Sequence, residues 1–230
     1  MTAILFTLVF ATCYAAPVNQ SPVGTWQMKI SAPPKEILYI TFNIDGTLDG
    51  YGISISSFAL YTLSGTWTVD SKGKVLGNYT ENLGSQSFGG SFVGKAVNGK
   101  KINARVTSER GNFTITGVPA TSFPDISGHW VGQDKESGVT LVETYDITAG
   151  SDFGIFDFTG AGSGPDGAYT LSGEVVVNSL RQANSLVQID FASGDSGLAA
   201  LTGSFNVTKG TASLKGKSAS GQAISIKLTR

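Results

Sequence analysis

Three acidic residues sit close together in the second half of the chain: Glu143 and Asp146 in VETYDIT, and Asp157 in FGIFDF. Paired carboxyls are the groups of glycoside hydrolysis, where one gives a proton and the other attacks or stabilises the sugar. Glu143 stands out. If Leu141, Tyr145 and Ile147 face the interior of a strand, Glu143 faces it too. A carboxyl so placed needs a partner or a raised pKa, which marks Glu143 as a candidate ligand-facing group. The opposite register turns Val142 inward and Glu143 out, and both stay open. The matching region of the first half offers Leu38 or Tyr39, not an acid, which weakens the case for a carboxylate pair.

Other catalytic chemistries lack their residues. His129 is the only histidine, which excludes a multi-His metal site; a single catalytic His stays open, against an ordinary polar residue at a strand start. Cys13, the only cysteine, falls in the N-terminal segment that reads as a signal peptide, so a mature chain would carry no thiol and thiol nucleophiles, Cys-ligated zinc and iron–sulfur clusters are out of reach. NIDGTLDG places Asn43, Asp45 and Asp49 close together but lacks the bidentate Glu of an EF-hand, and it reads better as a hairpin turn. There is no phosphate-binding loop and no zincin motif. No metal and no cofactor is expected. The net charge of −1 offers no basic excess for nucleic acid.

The chain has 230 residues, 40% of them hydrophobic, and 30 are Gly. Residues 4–11 are nearly all apolar, and Cys13 and Ala15 suit the −3 and −1 positions of a cut. Residues 1–16 therefore read as a signal peptide, with a secreted product free of the membrane after cleavage. Four Asn-x-Ser/Thr sequons occur, at Asn19, Asn78, Asn112 and Asn206. In the last three, alternation puts the Asn on the solvent side of a strand, where a glycan fits. Asn19 lies beside the cut.

Period-two alternation dominates. EILYITFNID sets Leu38, Ile40, Phe42 and Ile44 against Tyr39, Thr41 and Asn43. GTWQMKI sets Trp26, Met28 and Ile30 inward, and KINARVT does the same with Ile102, Ala104 and Val106. Asp-Gly and Asn-Gly pairs between the runs are hairpin signals. About eight strands fall in residues 22–118 and about eight in 127–230, with a Pro-containing linker at 119–126. The halves share landmarks in order: GTW with GHW, YTLSG (61–65) with YTLSG (169–173), GGSF with TGSF, and GNFTIT with GQAISI. Such order implies a tandem duplication. The fold class is all-β, with two tandem antiparallel up-and-down barrels, or two β-sandwiches as the alternative.

The Gly-x-Trp of the first strand, followed by DGTLDGYG, YTLSGTWTVD and FGGSFVGK, resembles the calycin superfamily, in particular the avidins and lipocalins. The resemblance implies eight-stranded barrels with a first-strand Trp closing one end. It does not imply biotin binding. The avidins follow that Trp with a ligand-contacting Asn, whereas Gln27 follows Trp26 and Val131 follows Trp130. Trp26, Trp67 and Trp130 are carried as candidate ligand-binding residues with Glu143. Inward Trp26, Phe42, Trp67, Phe92 and Phe113 would fill a barrel, while Gly65, Gly77, Gly90 and Gly94 would leave space in it. The expected function is a non-enzymatic binding protein for a small apolar molecule or a glycan. The alternatives are a structural surface glycoprotein and, third, a glycan-acting hydrolase.

Overall fold

A computed structural model describes residues 21–31, 36–136, 139–165 and 167–230. The signal peptide read over residues 1–16, and the sequon at Asn19, lie outside the described residues. Sixteen strands form two closed antiparallel barrels. The first contains β1 (Gly24–Ile30), β2 (Ile37–Phe42), β3 (Thr47–Ser54), β4 (Ala59–Val69), β5 (Val75–Leu83), β6 (Gln86–Val97), β7 (Lys101–Ser108) and β8 (Gly111–Pro119). The second contains β9 (Gly128–Glu136), β10 (Val139–Ala149), β11 (Ile155–Gly164), β12 (Gly167–Val177), β13 (Gln182–Phe191), β14 (Ser196–Asn206), β15 (Thr211–Ser218) and β16 (Ala223–Thr229). Each strand pairs with its neighbours in sequence, and β1 meets β8 as β9 meets β16. Closure leaves no open sheet edge, which distinguishes these barrels from sandwiches.

The short connections follow turn chemistry. Asn98 and Gly99 both take positive φ (50° and 62°), and Lys100 N–H donates to Val97 O at 2.9 Å. That is the geometry an Asn-Gly hairpin requires. In the β2–β3 turn Asp45 accepts from the backbone N–H of Thr47 at 2.9 Å. Ile44 sits at this tip, 91% exposed, and does not continue the inward row of Leu38, Ile40 and Phe42. The strand has already ended there, so its alternation no longer governs the side chain.

One end of each barrel is plugged by tryptophan. Trp26 Nε1 donates to Pro22 O at 2.5 Å, and Trp130 Nε1 to Ile126 O at 2.9 Å. Trp67 donates to Thr47 O at 2.9 Å and meets Phe42 edge-on, with ring centroids 5.8 Å apart. The backbone carbonyls satisfy the indole N–H groups, so the rings can be buried at little polar cost.

The duplication is legible in register. Trp26 stands in one row with Ile40, Gly50 and Leu63, and Trp130 in one row with Tyr145, Gly160 and Leu171. The two YTLSG segments are therefore equivalent. GGSF and TGSF are not: Phe92 pairs with Gly77, whereas the corresponding Ser185 pairs with Leu201, four residues before Phe205. The interior glycines also leave no space. A Cβ on Gly77 would lie 2.3 Å from the Phe92 ring, and one on Gly90 would lie 2.4 Å from the Tyr79 ring. They admit aromatic rings laid across the neighbouring strand.

The segment 119–126 is packed rather than loose. Ile126 is fully buried, and Phe123 meets Phe153 and Phe156 edge-on at 4.6 and 5.6 Å. Beside it the barrels touch. Ile37, Tyr39 and Ile53 from the outside of the first barrel bury against Ile155 and Val176 of the second. Tyr39 Oη donates to Val177 O at 2.7 Å, Ile37 N–H to Asn184 Oδ1 at 2.9 Å, and Ser179 N–H to Gln27 Oε1 at 2.9 Å. Apolar burial holds this contact and the polar bonds fix its angle.

Candidate functional site

Strand β1 runs from Trp26 at the plugged end to Ile30 at the other end, where the first barrel opens into a cavity of about 210 Å³. Its walls are Leu38, Ile40, Leu48, Leu63, Phe92 and Ile115, all facing inward by strict alternation. Beside Ser56 in the β3–β4 connection, its larger polar groups come from four places. Glu36 precedes β2, Tyr61 lies on β4, Tyr79 and Glu81 lie on β5, and Arg110 sits in the β7–β8 turn.

These groups are not equivalent electrostatically. Glu81 is buried and ion-paired with Arg110, whose guanidinium also lies over the Phe88 ring at 5.6 Å. Glu36 is buried too, and loss of water pushes its pKa up; hydrogen bonds from Ser54 and the Ile55 backbone and the charge of Arg110 oppose that rise without cancelling it. The Tyr61 hydroxyl is buried without a hydrogen-bond partner. It lies near enough to Glu36 to interact, but the two form no well-aligned bond. Burial first, then the Glu36 and Glu81 carboxyls, raises its pKa well above the ordinary phenol value. Gly52 makes room for it, since a Cβ there would lie 2.6 Å from Tyr61 Oη.

The second barrel carries the same tyrosine in another setting. Tyr169, equivalent to Tyr61, lies against Gly162 as Tyr61 lies against Gly52. In its row the residue matching Leu38 is Glu143. Glu143 is 5% exposed and Val142 58%, so the inward register is the one adopted. Tyr145 and Tyr169 both donate to the Glu143 carboxylate, at 2.5 and 2.8 Å. A cavity of about 560 Å³ opens above it, edged by Ser196, Ser218, Ser220 and Gln222. Below it the barrel is filled: the remaining void, about 10 Å³ and lined by Tyr145, Phe158 and Leu201, is at the limit for one water.

The other candidates fall elsewhere. Trp26, Trp67 and Trp130 line none of these cavities. They close the opposite ends, because their N–H groups are drawn to backbone carbonyls there. Asp146 is exposed and pairs with His129 at 2.7 Å, and Asp157 lies on the outer face of β11, so neither joins Glu143. Asn78 and Asn112 are exposed on strands; Asn206 is half-buried, and its side chain accepts from Lys209 N–H at 3.2 Å to cap the turn Val207–Lys209. Among the described residues no group of three His, Cys, Asp or Glu could hold a metal ion.

Glu36, Tyr61, Tyr79, Glu81 and Arg110 were not singled out from the sequence as a site. The signal for Glu81 was present in NYTENL, where Tyr79, Glu81 and Leu83 alternate as Leu141, Glu143 and Tyr145 do. Glu36 and Arg110 sit in connections, where alternation is silent.

The two closed eight-stranded antiparallel barrels fit the calycin-like fold that Gly-x-Trp implied. No protein-family model matches the chain, and no curated protein does. Among solved structures it is similar to a crystal structure of a "putative outer membrane protein" from Bacteroides fragilis, at 15% identity over 90% of this chain and 96% of that one, with a TM-score of 0.32. A likeness of that size carries no functional inference.

Proposed function

We propose that the protein is a secreted, non-enzymatic binding glycoprotein whose first barrel holds one small, largely apolar molecule. The observation that carries this reading is the Tyr61 hydroxyl, buried without a partner in the wall of an apolar cavity. An unsatisfied buried hydroxyl costs about 1–3 kcal/mol. A polar atom of a ligand seated against Tyr61 and Glu36 removes that cost, while the apolar walls bury the rest of the ligand. The cavity lies below the usual range of about 300–1,000 Å³, which points to a small ligand. Secretion is supported by the apolar run and small residues of 1–16, and glycosylation by the exposed sequons Asn78 and Asn112. The second barrel, filled below Glu143, serves as scaffold and partner surface in this reading.

Native mass spectrometry of protein secreted by eukaryotic cells tests it. A small-molecule adduct is expected on the wild type, absent from Leu63→Trp, which fills the cavity. Bare wild-type protein under gentle conditions, with no thermal shift from a library of small apolar compounds, would overturn the reading.

A glycan-acting hydrolase is the second reading, because two carboxyls in different environments share one cavity, one raised by burial and one ion-paired. The Arg110 contact occupies Glu81 and disfavours it as a nucleophile. Release of reducing ends from polysaccharide, lost in Glu36→Gln, would establish the hydrolase; none is expected.

A further inference from the structure

We infer that the ligand of the first barrel is a monocation: a primary or secondary ammonium on a short aromatic or aliphatic body, its N–H groups held by Glu36 and the Tyr61 oxygen. This rests on the binding reading above and names its chemical class. Charge selects the class. Among the described residues the cavity is lined by two carboxyls, Glu36 and Glu81, and one cation, Arg110. Arg110 is committed to Glu81. Among the described residues that leaves Glu36 as a buried carboxyl with no ion-paired cation, Arg110 acting on it only through charge. An anionic ligand would either force Glu36 to stay protonated or meet its charge in a site screened from water, which costs more than at a surface. A neutral ligand would leave Glu36 to stay protonated. An ammonium brings the missing positive charge, and the complex is neutral.

The polar atoms fit the same class. An ammonium donates two or three N–H bonds and accepts none. The cavity mouth offers acceptors to match: the Glu36 carboxylate, the unpartnered Tyr61 oxygen and the Tyr79 phenol. Phe92 and Phe113, with the tyrosine rings, supply the apolar wall for the body of the ligand. The titration follows directly. The groups facing Glu36 are Ser54 and the Ile55 backbone, which donate to it, Arg110 and Glu81, which act through charge, and the neutral Tyr61 phenol. In the empty cavity burial favours the neutral acid. Below the raised Glu36 pKa, binding drives the acid's proton to solvent and the carboxylate pairs with the ammonium; above it the carboxylate is already charged and no proton is released. Affinity then rises with pH up to the raised Glu36 pKa and levels off above it.

Isothermal titration of the full chain tests this with phenethylamine and hexylamine, each against the alcohol of the same skeleton, in two buffers of different ionisation enthalpy. The amines are expected to bind at least about tenfold more tightly than the alcohols. Their binding should release a proton at the acid end of the range. Glu36→Gln should abolish the amine preference, while Glu143→Gln in the other barrel should leave it intact. If the alcohols bind as tightly as the amines, the cation inference falls and the small-molecule reading stands. If neither class binds at millimolar concentration, both fall. These wild-type comparisons hold whether or not Glu36→Gln folds.

Discussion

Tyr61 and Tyr169 are the same residue of a duplicated strand, and the two barrels have given them opposite surroundings. In the second barrel an acid entered the row of the tyrosine itself, as Glu143, and two phenols close on it. In the first barrel that position is Leu38, and the acids came instead from β5 and from the connection before β2. There the tyrosine was left without a partner. A buried acid that accepts from two hydroxyls satisfies both of them; a buried hydroxyl without a partner, beside an acid whose pKa burial raises, is a group that a ligand atom could satisfy. The difference also shows that a duplicated motif need not mean a duplicated site.

The largest effects should come where the barrels agree. Trp26→Ala and Trp130→Ala each remove a fully buried plug, and each should cost about 3–5 kcal/mol in denaturant unfolding. A cost confined to one of them would break the claim that the plugs are equivalent. Glu143→Leu comes next. It removes the acceptor that two buried hydroxyls share and should cost about 2–4 kcal/mol, whereas Glu143→Gln, which keeps an acceptor, should cost less. Tyr39→Phe removes the bond to Val177 and should cost about 1 kcal/mol, read as earlier separation of the two barrels' unfolding transitions. The smallest is a slope. Glu36 binds its proton more tightly folded than unfolded, so its contribution to stability is full below 4.5, its ordinary pKa, and is lost as pH rises through the raised folded value. Glu36→Gln should flatten that fall, and an unchanged pH profile would show that Glu36 is not held neutral.

Much of this comparison was legible in the sequence. Alternation located nearly every barrel strand, and the Asn-Gly and Asp-Gly pairs located turns, because both signals are local. Gly-x-Trp and YTLSG held their register because each marks a position at which the barrel wall is fixed, by a plug or by a ring laid over glycine. GGSF did not, because small and aromatic residues recur along such strands at more than one register. Glu143 could be placed on the inward face but not given its partners, since Tyr169 is two strands away and only closure of the sheet brings it near. The first-barrel site was hidden for the same reason: Glu36 and Arg110 belong to connections far apart in sequence, joined only at the open end of the barrel. The three tryptophans misled, because an inward aromatic looks the same in sequence whether it lines a pocket or seals the far end.

Two equivalent hydroxyls, Tyr61 and Tyr169, differ in their surroundings, and one pair of variants measures the difference. Tyr61→Phe and Tyr169→Phe delete the same atom at the same barrel position. In ligand-free protein Tyr169→Phe should lose about 1–3 kcal/mol, the cost of leaving a buried acceptor without one of its donors, while Tyr61→Phe should be neutral or stabilising by about 1 kcal/mol. Equal losses in the two variants would contradict this contrast, because they would mean that Tyr61 is already satisfied and needs no ligand atom.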